Sequence, residues 1–219
     1  MPNPKDVLDA VRQGDTEQLE RLLASDPALA SARDENGVSV LMQAAYHRRA
    51  EMVQILRSKK ELLDAFEAAA LGDEARLDAL LSSDPSLAHA WSADGFTALH
   101  FTGFFRQPAC ARLLIAHGAD VRAVARNPMA VTPLHSAAAS QEIEVARLLL
   151  EKGAEVDARQ EGGFTALHAA ALHGDEALSE LLLSRGANPA LKAANGSDAA
   201  AFAREKGHAS LAQKLQARL

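Results

Sequence analysis

The chain reads as an all-α solenoid of about seven stacked helix pairs with short outward loops or hairpins. Three observations carry this reading. One phrase recurs as Thr97-Ala98-Leu99-His100, Thr132-Pro133-Leu134-His135 and Thr165-Ala166-Leu167-His168, at steps of 35 and then 33 residues. Leucine-rich stretches follow the phrases and end in Gly118-Ala119-Asp120, Gly153-Ala154-Glu155 and Gly186-Ala187-Asn188. Alanine pairs recur at one register (Ala44-Ala45, Ala68-Ala69, Ala137-Ala138, Ala170-Ala171). A period near 33 residues built from helix formers means units that cannot bury their apolar faces alone and must stack.

The unit at Thr165 shows why each element forms. Thr165 stands where a helix N-cap belongs. A first helix over Ala166 to His173 follows, and Gly174 supplies its left-handed stop. A second helix runs from about Asp175 to Ser184, with Leu181, Leu182 and Leu183 facing the stack. Gly186 closes it, and Ala187-Asn188-Pro189 turns the chain outward. In this register the units start near Lys5, Ser39, Leu63, Thr97, Thr132, Thr165 and Asp198, at steps of 34, 24, 34, 35, 33 and 33 residues. They form one domain over residues 1–219, the last pair a polar C-terminal cap (Arg204-Glu205-Lys206-Gly207-His208). At Ser25-Asp26-Pro27 and Ser83-Asp84-Pro85 proline terminates the second helix instead of glycine.

The 24-residue step is the one defect. Only Arg57-Ser58-Lys59-Lys60-Glu61-Leu62 separates Leu56 from Leu63, so an outward loop of about ten residues is missing. A direct connection and a gap in the row of loops are expected there. The basic residues Arg48, Arg49, Arg57, Lys59 and Lys60 around it read as a solvated surface.

Thr132-Pro133-Leu134-His135-Ser136-Ala137 matches the Thr-Pro-Leu-His-x-Ala signature in full. The copy at Thr165 departs only at the proline, and that at Thr97 also loses the final alanine. On these residues, the Gly-Ala-acid phrases and the period, the chain resembles the ankyrin-repeat family from about residue 5 to 215. The resemblance implies a concave face of first helices and loops that binds protein partners. It also implies that His100, His135 and His168 orient each unit by hydrogen bonds around the threonine and the adjacent loop.

Composition bounds the function. Net charge is −6, which argues against a nucleic-acid binder, since phosphate neutralisation needs clustered Lys and Arg. The single cysteine, Cys110, excludes an intramolecular disulfide framework and fits a cytoplasmic, reducing setting. It aligns with Val145 and Leu178 and reads as a buried small hydrophobe. No signal peptide or membrane span is expected from the apolar runs. His168 and His173 are five apart and do not share a helix face as a zinc pair would. No phosphate-binding glycine loop or nucleophile elbow occurs, so no cofactor, metal or catalytic residue is expected.

The fourth unit breaks its own pattern with Thr102-Gly103 in place of Ala-Ala, followed by Phe104-Phe105-Arg106. Two adjacent phenylalanines cannot both face one side of a helix. Aromatic and Arg side chains are frequent interface anchors. The expected partner-binding patch is Trp91, Phe96, Phe101, Phe104, Phe105 and Arg106, with Tyr46 and Arg48 nearby. Truncating Phe105 is expected to weaken binding and leave stability nearly unchanged. The plainer alternative packs Phe101 and Phe104 between units and leaves the rest as ordinary surface.

The expected function is non-catalytic protein–protein recognition, as an adaptor, inhibitor or regulatory subunit, by a monomer that contacts neither nucleic acid nor membrane. The alternatives are a secreted effector acting on a host protein, self-association through the Phe patch, and an enzyme.

Overall fold

The computed structural model describes residues 3–218, and these hold fourteen α-helices in seven antiparallel pairs and no strand. The pairs are α1 (Pro4–Gln13) with α2 (Thr16–Ser25), α3 (Val40–Tyr46) with α4 (Ala50–Lys59), α5 (Ala65–Leu71) with α6 (Glu74–Ser83), and α7 (Ala98–Phe104) with α8 (Pro108–Ala116). They continue as α9 (Pro133–Ala139) with α10 (Ile143–Glu151), α11 (Ala166–His173) with α12 (Glu176–Ser184), and α13 (Ala199–Glu205) with α14 (Ala209–Gln216). Odd-numbered helices pack in one row and even-numbered helices in a second behind it. Each even helix buries one or more leucines completely or nearly so (Leu19, Leu23, Leu77, Leu81, Leu114, Leu149, Leu182 among them), with others such as Leu22, Leu80 and Leu148 partly buried, while the odd helices contribute mostly alanine. Small residues in one row and large in the other fill the space between units without strain.

Each odd helix begins where a side-chain oxygen can take an orphan backbone N–H. The N-caps are Asn3, Ser39, Asp64, Thr97, Thr132, Thr165 and Asp198. Two starts differ from the register read along the sequence. Asn3 replaces Lys5 and Asp64 replaces Leu63, because neither lysine nor leucine has an acceptor to offer. Leu63 is instead buried in the core. Pro27 and Pro85 do more than end a helix: each is the first residue of a 3₁₀ turn, Pro27–Ser31 and Pro85–His89, capped by Asp26 and Asp84.

Those two turns lie 58 residues apart, and the likeness extends on both sides of them. Asp6 to Leu56 and Asp64 to Leu114 run in parallel, pairing Asp15 with Asp73, Tyr46 with Phe104 and Arg48 with Arg106. The short step at Lys60 is therefore the point where a two-unit block starts again with a unit that has no outward loop.

The expected gap in the row of loops is nearly closed. A Cβ placed on Gly37 would sit 3.0 Å from that of Ala93, so the loop before α3 touches the loop before α7 directly. Only a crevice of about 120 Å³ remains between them. Further along, each loop is stitched to the next. The Arg126 N–H donates to the Gly95 carbonyl at 2.8 Å, Glu161 to Met129 at 3.0 Å, and Ala194 to Gly162 at 2.7 Å. Glycine inside α7 also has a reason. A Cβ on Gly103 would meet the Ala137 backbone nitrogen at 2.8 Å and the Pro133 carbonyl oxygen at 3.0 Å, so its absence lets α7 and α9 approach closely.

Candidate functional site

The repeated histidines are structural joints. The backbone N–H of Thr97, Thr132 and Thr165 donates to Nδ1 of His100, His135 and His168, at 3.2, 3.1 and 3.0 Å. Nδ1 must therefore be unprotonated, and the ring proton resides on Nε2. From there it is donated to the carbonyls of Val131, Phe164 and Leu191, at 3.0, 3.2 and 3.0 Å, which belong to the loop of the following unit. Each histidine so closes a capping box in its own unit and ties that unit to the next. Burial lowers the pKa of all three, His100 to about 4.

The same register in α5 holds Glu67. Its Oε2 accepts the Asp64 N–H at 3.0 Å, and its Oε1 meets Lys60 Nζ at 2.6 Å. Both side chains are buried. Lys60 is not the solvated residue its sequence neighbourhood suggests: the direct connection after α4 carries it to Glu67, whose carboxylate has no proton to give a carbonyl of the next loop and takes the buried ammonium as partner instead. Arg57 likewise pairs with Asp73 at 3.1 Å.

The candidate patch residues gather into one cluster, but at different depths. Phe101 is 3 % exposed and packs with Met42 and Ala70, so it floors the patch and offers a partner no surface. Phe96 and Phe105 are half-buried against it, at ring distances of 5.7 and 6.3 Å. Truncating Phe105 therefore removes packing, contrary to the expectation that stability would barely change. Phe104 stands edge-on to Phe105 at 5.0 Å and is 42 % exposed. Tyr46 lies within 6.3 Å of Phe101, Phe104 and Phe105, and its hydroxyl donates to Asp94. Burial, then that hydrogen bond, raise its pKa. Trp91 is half-buried beneath Arg126, whose guanidinium carbon lies 4.3 Å from the ring centre.

Arg48 and Arg106 are exposed and occupy equivalent turns, with φ of 55° and 60°. Gly14, Gly72, Gly174 and Gly207 take the corresponding turns in other units. The Arg106 Nε–H donates to the Ser140 carbonyl at 2.7 Å, and the Ser140 hydroxyl returns a bond to the Phe104 carbonyl at 2.8 Å. Arg106 thus bridges two units beside Phe104.

Between α7, α9 and the loop before α9 runs a groove of about 690 Å³. Phe96, Phe101 and Phe104 form one side, Val131 and Ala139 the other, and Asn127-Pro128-Met129 a wall. The wall and Arg126 were not among the residues singled out from sequence. Their signal was the 35-residue step from Thr97 to Thr132, which lengthens this loop by two residues over the next. Met129 is 50 % exposed.

Cys110 is fully buried, and burial, followed by the charges of Glu74 and Asp73, pushes its thiol up to about 11. That is the opposite of a nucleophile's environment. Among the described residues no group of three or more His, Cys, Asp or Glu could hold a metal ion, and no helix is long and apolar enough to cross a membrane.

A helical solenoid with joints of this kind and an apolar groove on its odd-helix row is a protein-interaction scaffold. A family model described as ankyrin repeats matches residues 65–160 and 125–193, more than half of the chain, and the chain belongs to the ankyrin-repeat family. It is 43 % identical over 74 residues to human ankyrin repeat and SOCS box protein 18, covering 34 % of this chain and 16 % of that one. It is 39 % identical over 94 residues to probable E3 ubiquitin-protein ligase XBOS31 of Oryza sativa subsp. japonica, covering 42 % of this chain and 21 % of that one. The chain thus spans about a fifth or less of the length of these curated relatives.

Proposed function

We propose that this protein recognises a partner protein through the inner face and loop tips of its second to fifth units, as an adaptor, inhibitor or regulatory subunit, and performs no chemistry of its own. One observation carries the reading: the large exposed apolar side chains Phe104 and Met129 flank a single groove backed by a rigid aromatic cluster. Pre-formed aromatic anchors beside an open pocket are what a binding surface needs, because little side-chain entropy is lost on contact. The relatives support it indirectly. Their names attach a SOCS box and a ligase activity to chains much longer than the matched repeats, which fits the repeats as the part that selects a partner. The buried, unpaired Cys110 fits a cytoplasmic setting, and we read the protein as a monomer there.

The test is cross-linked capture from native lysate with the wild type and Phe104→Asp, which alters an exposed side chain. Loss of one specific partner, with an unchanged unfolding midpoint, upholds the reading. Identical captures from both proteins, or a partner held only by the outer helices, overturn it.

A further inference from the structure

The groove itself is lined by apolar and neutral polar side chains apart from Asp94, and the positive charge near it stands on the elements at its margins. Net charge is −6, yet three arginines stand around the aromatic cluster and groove. Arg48 and Arg106 follow Tyr46 and Phe104 on the helix side, and Arg126 precedes Asn127 on the loop side. Among the described residues none of the three lies in a salt bridge, so each guanidinium is open to a partner's carboxylate. Their terminal guanidinium nitrogens have no protein acceptor: Arg106 spends only its Nε–H, on Ser140, and Arg126 lies over the Trp91 ring.

No carboxylate pairs with these arginines, although Glu51 is exposed three positions after Arg48. Asp94 is occupied, one oxygen accepting the Ser92 hydroxyl at 2.6 Å and the other the Tyr46 hydroxyl at 2.5 Å. Glu161 is exposed beside Gln160 at the far end of the groove. Two of the arginines also keep a left-handed backbone where four other units use glycine and the fifth uses Gln141. An arginine held in that conformation presents a charge that glycine could not.

We propose that the groove binds a peptide segment of a partner protein in which two or three large apolar residues are flanked on both sides by Asp or Glu. The inference rests on the recognition reading above and adds the chemistry of the partner. The apolar residues fill the space between Phe104, Val131 and Met129, whose volume is in the range of pockets that take a few anchoring groups. The acidic flanks reach Arg106 and Arg48 on one margin and Arg126 on the other. Arginine suits this work because its planar fork meets a carboxylate with two parallel hydrogen bonds.

The experiment uses the full chain and four fluorescein-labelled synthetic dodecapeptides, read by fluorescence anisotropy. Three share a Leu-Phe-Leu core flanked by Asp/Glu, by Ser/Gly or by Lys/Arg; the fourth joins acidic flanks to an Ala core. The acidic apolar peptide should bind roughly 10-fold tighter than the neutral one, the gain of two moderately exposed ion pairs. The basic and Ala-core peptides should bind far more weakly. Raising salt from about 50 to about 500 mM should erase most of the preference. Arg106→Glu and Arg126→Glu should each weaken the acidic peptide several-fold and strengthen the basic one, a reversal that mere unfolding cannot produce. Equal binding of acidic, neutral and basic apolar peptides overturns the charge assignment and leaves the recognition face standing. Binding by none of them overturns this inference; partner capture that still depends on Phe104 then shows that the recognition reading has survived it.

Discussion

Tyr46 hydrogen-bonds Asp94 across 48 positions of the chain, joining the second unit to the loop of the fourth and passing over the third. The bond exists because the third unit lacks an outward loop, so the loops before α3 and α7 become neighbours. The junction between α3 and α5 is the most sparsely packed in the odd-helix row, which makes this tie matter more than its size suggests.

Tyr46 is the only tyrosine, so its ionisation can be followed by tyrosinate absorbance without ambiguity. Its folded pKa lies above the unfolded value of 10.0. The unfolded chain therefore releases this proton first, and the associated stability is complete below pH 10 and falls as pH rises beyond it. No tyrosinate signal should precede alkaline unfolding. Tyr46→Phe should cost about 1.5–3 kcal/mol, as for a hydrogen bond to a charged group. A simple tyrosinate titration near pH 10 in a folded protein would contradict the buried bond.

The three histidines set an acid limit. Their folded pKa values are lowered, so between 6.5 and the folded values the unfolded state binds protons that the folded state refuses. Their contribution is complete above pH 6.5 and is lost as pH falls through the folded values. His100 alone, at about 4, accounts for on the order of 3 kcal/mol over that window. Denaturant midpoints should be flat from pH 8 to 7 and decline below 6.5. Nitrogen NMR should find the proton on Nε2 in all three rings, and proton occupancy at Nδ1 near neutral pH would refute the capping role.

Gly103→Ala reverses the usual rule for helices. Alanine is normally favoured over glycine inside a helix by about 0.5–1 kcal/mol. Here the new methyl group meets backbone atoms of α9, which cannot rotate away. Overpacking of this kind costs about 1–3 kcal/mol, so the substitution should lower the unfolding midpoint. An increase would mean that α7 and α9 are farther apart than described.

What could be read from sequence was what repeats. Thr97, Thr132 and Thr165 recur with their histidines, so their helix starts and the joint between units were visible in the spacing. Lys60 and Glu67 were not, because their pairing answers a deletion that occurs once. The likeness between Asp6 to Leu56 and Asp64 to Leu114 was present in the letters, but α1 starts at Asn3 and α5 at Asp64, so the two blocks share their register and not their first helix turn. Phe101, Phe104 and Phe105 were found together, but their depths depend on how α7 is rotated against α5 and α9. Arg126 over Trp91 lies in a loop, where no helical period announces which side chains meet.

Lys60 and Glu67 should behave as a coupled pair. Removing one partner leaves a buried charge unanswered, at a cost of about 3–5 kcal/mol. Lys60→Met alone strands the Glu67 carboxylate, and Glu67→Gln alone strands the Lys60 ammonium. Glutamine can still accept the Asp64 N–H, so the capping box survives the second change. The double variant, with a neutral amide beside a methionine of similar length, removes both charges and keeps the cap. Its stability should return to within about 1–2 kcal/mol of the wild type, since no buried charge is left without a partner. A double-mutant cycle by urea denaturation measures the coupling directly. Additive losses would show that the two side chains do not meet, and that the direct connection after α4 is held by something other than this pair.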